Sequence, residues 1–136
     1  MKYLLDSNIC IALIRKKPPK ILKTLAAMAA GDVGISSITL AELRYGAAKS
    51  ADEGKNAAAL EEFLLPLEIA DFDAAAALSY GRVRASLEKA GMPIGPLDTQ
   101  IGAHALSLGA TLVTNNLREF RRISGLKVED WIGRSD

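Results

Sequence analysis

Apolar positions along this chain fall into short unbroken runs that alternate with longer stretches of helical spacing. Lys2–Leu5 is a short, mostly apolar run that stops at Asp6, as a buried strand would. Ile9, Leu13 and Ile14 follow at helical spacing as far as Pro18-Pro19. A second helix is expected to begin there, with Ile21, Leu25 and Met28 on one face and Gly31 closing it. Val33–Ser36 reads as a strand and Ile38–Lys49 as a helix. The polar stretch Ser50–Asn56, which contains Gly54, reads as a loop before a helix from about Ala57 to Leu65. Pro66 ends that helix ahead of a short strand at Leu67–Ile69.

The clearest helix runs from Asp73 to Ala90, where Ala76, Tyr80, Val83 and Leu87 repeat at helical spacing and Gly91 caps the end. After a turn-rich connector, Leu97–Leu108 reads as a helix whose Gly102, Ala103 and Ala105 permit close packing. Thr111–Thr114 is an expected strand, Leu117–Arg121 a short helical turn, and Leu126–Val128 a last strand. Strands alternate with helices and no two-residue hairpin signal occurs. The expectation is an α/β fold, a parallel sheet flanked by helices, in a single domain over residues 1–136.

Composition agrees with a packed domain: 49% of residues are hydrophobic and only 5% aromatic, so aliphatic residues must build the core. The single cysteine, Cys10, has no partner for an internal disulfide and sits in the apolar run Ile9-Cys10-Ile11. Neither a signal-peptide pattern nor an apolar stretch long enough to span a bilayer is present, so a cytoplasmic, membrane-free protein is expected. A formal charge of +1 excludes a strongly basic nucleic-acid wrapper. Two basic clusters could still hold phosphates, one of Arg15, Lys16, Lys17, Lys20 and Lys23, the other of Arg118, Arg121 and Arg122.

The candidate chemistry lies in carboxylates. In open parallel sheets, sites form beyond the carboxyl ends of strands. Asp6 follows the first expected strand, Glu42 lies in the first turn of the helix after the second, and Asp98 opens a later helix. Helix capping competes as an explanation: Thr39-Leu40-Ala41-Glu42 has the form of a capping box, and Asp71 and Asp73 are assigned to capping alone. Asp6, Glu42 and Asp98 differ in lying within apolar stretches. Hard oxygen ligands without nearby His or Cys suit Mg²⁺, or Mn²⁺, which can activate a water for attack on a phosphodiester.

Four segments taken together resemble VapC-type toxins of the PIN-domain ribonucleases. They are Leu4-Leu5-Asp6-Ser7-Asn8, Ile35 to Gly46, Gly95-Pro96-Leu97-Asp98 with Ile101 to Ala105, and Leu112 to Phe120, followed by Val128-Glu129-Asp130-Trp131. The resemblance implies a PIN-like domain and an Mg²⁺-dependent endoribonuclease, the toxin of a toxin–antitoxin pair, cutting structured RNA such as tRNA. It also implies a VapB-type antitoxin partner and a homodimer. It makes Asp6, Glu42 and Asp98 the acidic cluster, with Ser7, Asn8, Asn115 and Asn116 in support. Many relatives have Thr where this chain has Ser7, and a fourth Asp where it has Asn115-Asn116; Glu119 is the candidate to supply that charge. Arg15, Lys16, Lys17 and Arg118 are candidate RNA contacts. The alternative is an inactive PIN domain that only binds RNA or protein.

Three other residues read as structural. His104 lies six positions beyond Asp98, roughly 240° around a helix, and is expected to pack rather than catalyse. Trp131 is expected to anchor the tail to the core. Tyr45 and Gly46 read as the end of the Glu42 helix. The apolar faces at Ile21, Leu25 and Met28, and at Leu60, Phe63 and Leu64, suit either core or an antitoxin helix.

Overall fold

A computed structural model describes residues 1–133; residues 134–136 of the expected domain lie outside the described residues. The elements are β1 (Tyr3–Leu5), α1 (Ser7–Arg15), α2 (Lys20–Ala26), β2 (Val33–Ser36), α3 (Ser37–Ala48), α4 (Glu53–Leu64) and β3 (Glu68–Ala70). After these come α5 (Ala74–Lys89), α6 (Pro96–Leu108), β4 (Thr111–Val113), α7 (Leu117–Phe120) and β5 (Val128–Glu129). The strands form one sheet in the order β3-β2-β1-β4-β5 with every pairing parallel. The expected α/β architecture is therefore present.

Strand alternation sorts the core into two faces. Leu5 and Val113 point into one cluster with Ile9, Cys10, Leu13, Ile21, Ile35, Leu60 and Trp131. Leu4 and Leu112 point into the other with Val83, Leu87, Ile101, Ala103, Phe120 and Ile123. The second face depends on close approach. A Cβ on Gly102 would stand 2.5 Å from Ile123 Cδ1 and 3.3 Å from Phe120 Cδ1, so any side chain there would have to push the end of Ile123 aside where α6 meets the segment after α7. Trp131 is buried, with its ring 5.8 Å from Tyr3 and its indole N–H donating to Glu129 Oε1 at 3.0 Å. It anchors the tail, as expected. Ile21 and Leu60 are buried and Leu25, Met28, Phe63 and Leu64 pack against the same cluster, so those apolar faces serve the core.

Several local readings require correction. The Ser50–Asn56 stretch is not all loop: α4 starts at Glu53 because Asp52 caps it, accepting from Lys55 N–H at 3.2 Å. The second helix ends at Ala26, and Gly31, at φ +85°, instead shapes the turn into β2. Thr39 does not cap α3. Ser36 does so, accepting from Ile38 N–H at 3.1 Å, and Thr39 is buried inside the helix. Consequently Glu42 lies beyond the first turn of α3. Gly46 is interior to that helix, whose C-cap is Lys49, with its Nζ 4.8 Å from the centroid of the exposed Tyr45 ring. Of the two acids assigned to capping, Asp73 caps α5 through Ala76 N–H at 2.9 Å, while Asp71 lies in the preceding loop.

Candidate active site

The carboxyl edge of the sheet gathers the buried polar groups. Asp6 leaves β1 with extended backbone (ψ 173°) and becomes the N-cap of α1, its Oδ1 accepting from Ile9 N–H at 3.0 Å. Only 5% of Asp6 is exposed. β4 lies beside β1 and ends at Val113, which places the buried Thr114 next to Asp6, where its hydroxyl donates to the Asp6 carboxylate. The Thr114 hydroxyl oxygen also accepts from Asn116 N–H at 3.0 Å, which fixes the entry to α7. One side chain thus ties the carboxylate to the loop holding Asn115 and Asn116. Sequence reading passed over Thr114; its one signal is a hydroxyl where an apolar strand turns into an amide pair.

Asp98 stands in the first turn of α6, which starts at Gly95 with Pro96 at its head. Thr99 steadies that turn, its hydroxyl donating to Gly95 O at 2.8 Å. Burial pushes the Asp6 carboxyl above its ordinary value; the Asp98 charge raises it further, while the bonds from Thr114, Ile9 and Asn8 oppose the shift. Burial likewise raises Asp98, and the Glu119 carboxylate from α7 adds to it. Three acids from separate crossovers therefore sense one another: Asp6 with Asp98, and Asp98 with Glu119. Glu42 is not among the charges acting on Asp6 or Asp98, and it is exposed on α3.

The remaining candidates are distributed as follows. Ser7, half-buried, is the first residue of α1, and Asn8 is exposed beside it. Asn115 is exposed and Asn116 precedes α7, where Arg118 is exposed next to Glu119. Arg15, Lys16 and Lys17 are exposed at the far end of α1, about 13 Å from Asp6 at the rise of an α-helix. The structure does not bring that cluster to the acids.

His104 packs, as expected, but in a more specific way than packing alone. It is buried, its Nδ1 lies 2.9 Å from the Ser36 hydroxyl that caps α3, and its ring meets Phe72 edge-on at 5.3 Å. Burial lowers its pKa, with the charges of Asp73 and Asp71 pulling the other way. It therefore joins α6, which bears Asp98, to the head of α3, which bears Glu42.

Whether a divalent ion suits this edge depends on its donors. Asp6, Asp98 and Glu119 offer only hard oxygens, the Mg²⁺ preference. Among the described residues, no group of three or more His, Cys, Asp or Glu is arranged to hold an ion alone. Mg²⁺ keeps much of its water and is bound through one or two carboxylates, so a larger cluster is not required of it. The donor chemistry fits.

Comparison with known proteins identifies the arrangement. The PIN domain family model matches residues 3–126. The tRNA(fMet)-specific endonuclease VapC of Shigella flexneri is 46% identical over 131 residues, covering 96% of this chain and 98% of that protein. Ribonuclease VapC2 of Rickettsia felis is 46% identical over 132 residues, covering 96% and 98%. The crystal structure of DNA-bound VapBC from Salmonella typhimurium superposes with a TM-score of 0.91 at 46% identity, over 96% of this chain and 98% of that one. In sequence and in fold alike, the chain belongs to the PIN-domain family, with its VapC-type ribonucleases.

Proposed function

We propose that this protein is a metal-dependent endoribonuclease, the toxin of a toxin–antitoxin pair, with Asp6 and Asp98 as its metal-holding carboxylates and structured RNA such as tRNA as its substrate. The observation that carries this reading is a pair of acids at the carboxyl edge of the sheet, Asp6 buried after β1 and Asp98 half-buried in the first turn of α6, each pushed up in pKa chiefly by burial, with a third acid at hand. A fold that sought only stability would not hold like charges together out of water. A bound cation removes that penalty.

Asp6 and Asp98 would hold Mg²⁺, or Mn²⁺, with Glu42 contributing from α3 through water. When bound, the ion supplies charge neutralisation at the phosphate and a lowered pKa for the attacking water. Thr114 keeps the Asp6 carboxylate oriented, and the bond from Ile9 at the α1 N-terminus favours its ionised form against the effect of burial. Glu119, whose charge acts on Asp98, or the amides of Asn115 and Asn116 would position the attacking water, with Ser7 and Asn8 in support. In-line attack of water leaves 5′-phosphate and 3′-hydroxyl ends. Arg118 offers a cation beside the acids. A VapB-type antitoxin, a homodimeric state and a cytoplasmic location complete the reading, which takes residues 1–136 as one functional unit.

The test is cleavage of total RNA and tRNA by the parent chain and by Asp6→Asn and Asp98→Asn, with Mg²⁺ and with EDTA. The parent should cut only with Mg²⁺, and each variant should lose about a thousandfold in rate, a barrier increase of about 4 kcal/mol. Cleavage by both variants at the parental rate would end the assignment of these residues. A parent that binds RNA and never cuts it would instead be a binding module.

A further inference from the structure

Beside the acidic edge the molecule carries the opposite charge in a different setting. Between α5 and the turn after α7 runs a groove of about 190 Å³, walled by Arg82, Ser86, Arg122 and Ser124 over a floor that includes Val83 and Leu106. A second hollow of about 370 Å³ shares Arg82, Val83 and Leu106 and extends the groove along α5 to Ser79 and Ser107. No Asp or Glu lines either one.

We propose that this groove is a phosphate-binding subsite for the RNA strand beside the cleaved bond, with Arg82 and Arg122 as its cations; the assignment rests on the ribonuclease reading above. Three observations carry it. First, the two guanidiniums lack carboxylate partners. The ion pairs among the described residues are Lys2–Asp32, Arg44–Glu61 and Arg84–Glu88, so on α5 the neighbouring Arg84 is neutralised and Arg82 is not. Second, Arg122 is held in place. Its Nη1 donates to Pro93 O at 3.0 Å, which uses one of its five donors and fixes the plane of the rest. Third, Arg122 ties one wall of the groove to the segments that carry two of the acids: its N–H donates to Glu119 O at 3.0 Å, and Pro93, whose carbonyl its guanidinium holds, lies in the connector that leads to Asp98.

Placing cations here answers a requirement of the substrate. RNA carries one negative charge per nucleotide, and a chain of net charge +1 with carboxylates at its centre has no general attraction for it. Attraction must be local and must flank the acids. Ser86 and Ser124 add hydroxyl donors for phosphate oxygens, and the apolar floor suits a ribose or base face.

The test is equilibrium binding of a single-stranded oligoribonucleotide across a salt series. The protein is the full chain bearing Asp6→Asn, in EDTA, so that nothing is cut. Adding Arg82→Gln and Arg122→Gln should weaken binding about tenfold at low salt and make the logarithmic salt slope shallower by about 1.4, or about 0.7 per lost phosphate contact. Arg84→Gln, on the same helix but already paired, should change neither quantity. Because Arg122 also supports the 93–96 connector, Arg82→Gln alone is measured as well, and thermal melting checks each variant; a loss with Arg82→Gln at an unchanged melting temperature supports the subsite. Equal affinity and slope for the parent background and the double variant overturn it while leaving the ribonuclease reading intact. A parent background that binds no RNA overturns both. If the substitutions abolish only protection by inorganic phosphate, or only binding of an acidic peptide, with RNA affinity unchanged, the groove takes those ligands and the RNA assignment fails.

Discussion

The two ends of the sheet are built on opposite terms. Among the described residues the buried polar or charged ones are Asp6, Ser36 and Thr114 at the carboxyl ends of strands, Thr39 on α3, which leaves β2, and Thr99 and His104 on α6, whose His104 reaches back to Ser36. At the amino end, Met1, Gly31 and Asp32 meet solvent, and Val33 and Ala110 are simply buried apolar groups. Burying polar groups costs stability unless each is satisfied, and holding a buried acid close to other acids costs more. One end of the sheet therefore serves chiefly to hold the fold together, and the other gives up stability to hold its acids in a fixed arrangement. The lesson is that the site is recognised by where polar groups are buried, not by the presence of acids at helix ends, which the exposed caps Asp52 and Asp73 also supply.

The comparison can be broken hardest at the packing that supports the acids. Gly102→Ala should destabilise the protein by about 1–3 kcal/mol, because the new methyl forces the end of Ile123 out of its place and crowds the Phe120 ring. Chemical denaturation measures this, and Ile123→Ala in the same chain should restore part of it. A Gly102→Ala protein as stable as the parent would show that α6 has room to shift.

A smaller effect separates the charge of Asp6 from its capping role. In EDTA at neutral pH, Asp6→Asn should be more stable than the parent, while Asp6→Ala, which loses the bond to Ile9, should fall below Asp6→Asn by about 1 kcal/mol. The sign follows from the raised pKa. The native state holds the Asp6 proton more tightly than the unfolded chain, so this group favours folding most below pH 3.8. That contribution is lost as pH rises through the higher native value. Parent stability equal to that of Asp6→Asn throughout the neutral range would contradict the burial cost.

The smallest effect belongs to His104. Its native pKa is lowered, so the unfolded chain takes up a proton first as pH falls below 6.5, and stability is lost from there down to the native value. Asp71 and Asp73 face the ring and limit the loss. His104→Gln should flatten that part of a denaturation-midpoint profile while leaving the region above pH 7 parallel to the parent. An unchanged slope would assign the acid sensitivity elsewhere.

The sheet, the long helices and two of the acids were legible from hydrophobic period and from position after strands. Asp6 could be read because it interrupts an apolar run where a strand turns into a helix, and Asp98 because it opens a helix after the Gly95-Pro96-Leu97 connector. Helix starts were less legible: the Asp52 cap was hidden in a stretch that reads as loop, and Ser36 was hidden behind the stronger-looking Thr39-to-Glu42 pattern. The partnership of Thr114 with Asp6 and of His104 with Ser36 depends on strand order and helix docking, across sequence separations of 108 and 68 residues that no local pattern records. Arg82 was invisible for the same reason, because only the ion pairing of its neighbour shows it to be free for an anion.

The rims of the sheet carry a consequence for assembly. β3 and β5, which bound it, are only three and two residues long, so neither side presents a row of open amides and carbonyls on which another chain could template itself. Proteins that associate with this one are thus directed to its helices and their clefts, and recognition is written in side chains rather than backbone.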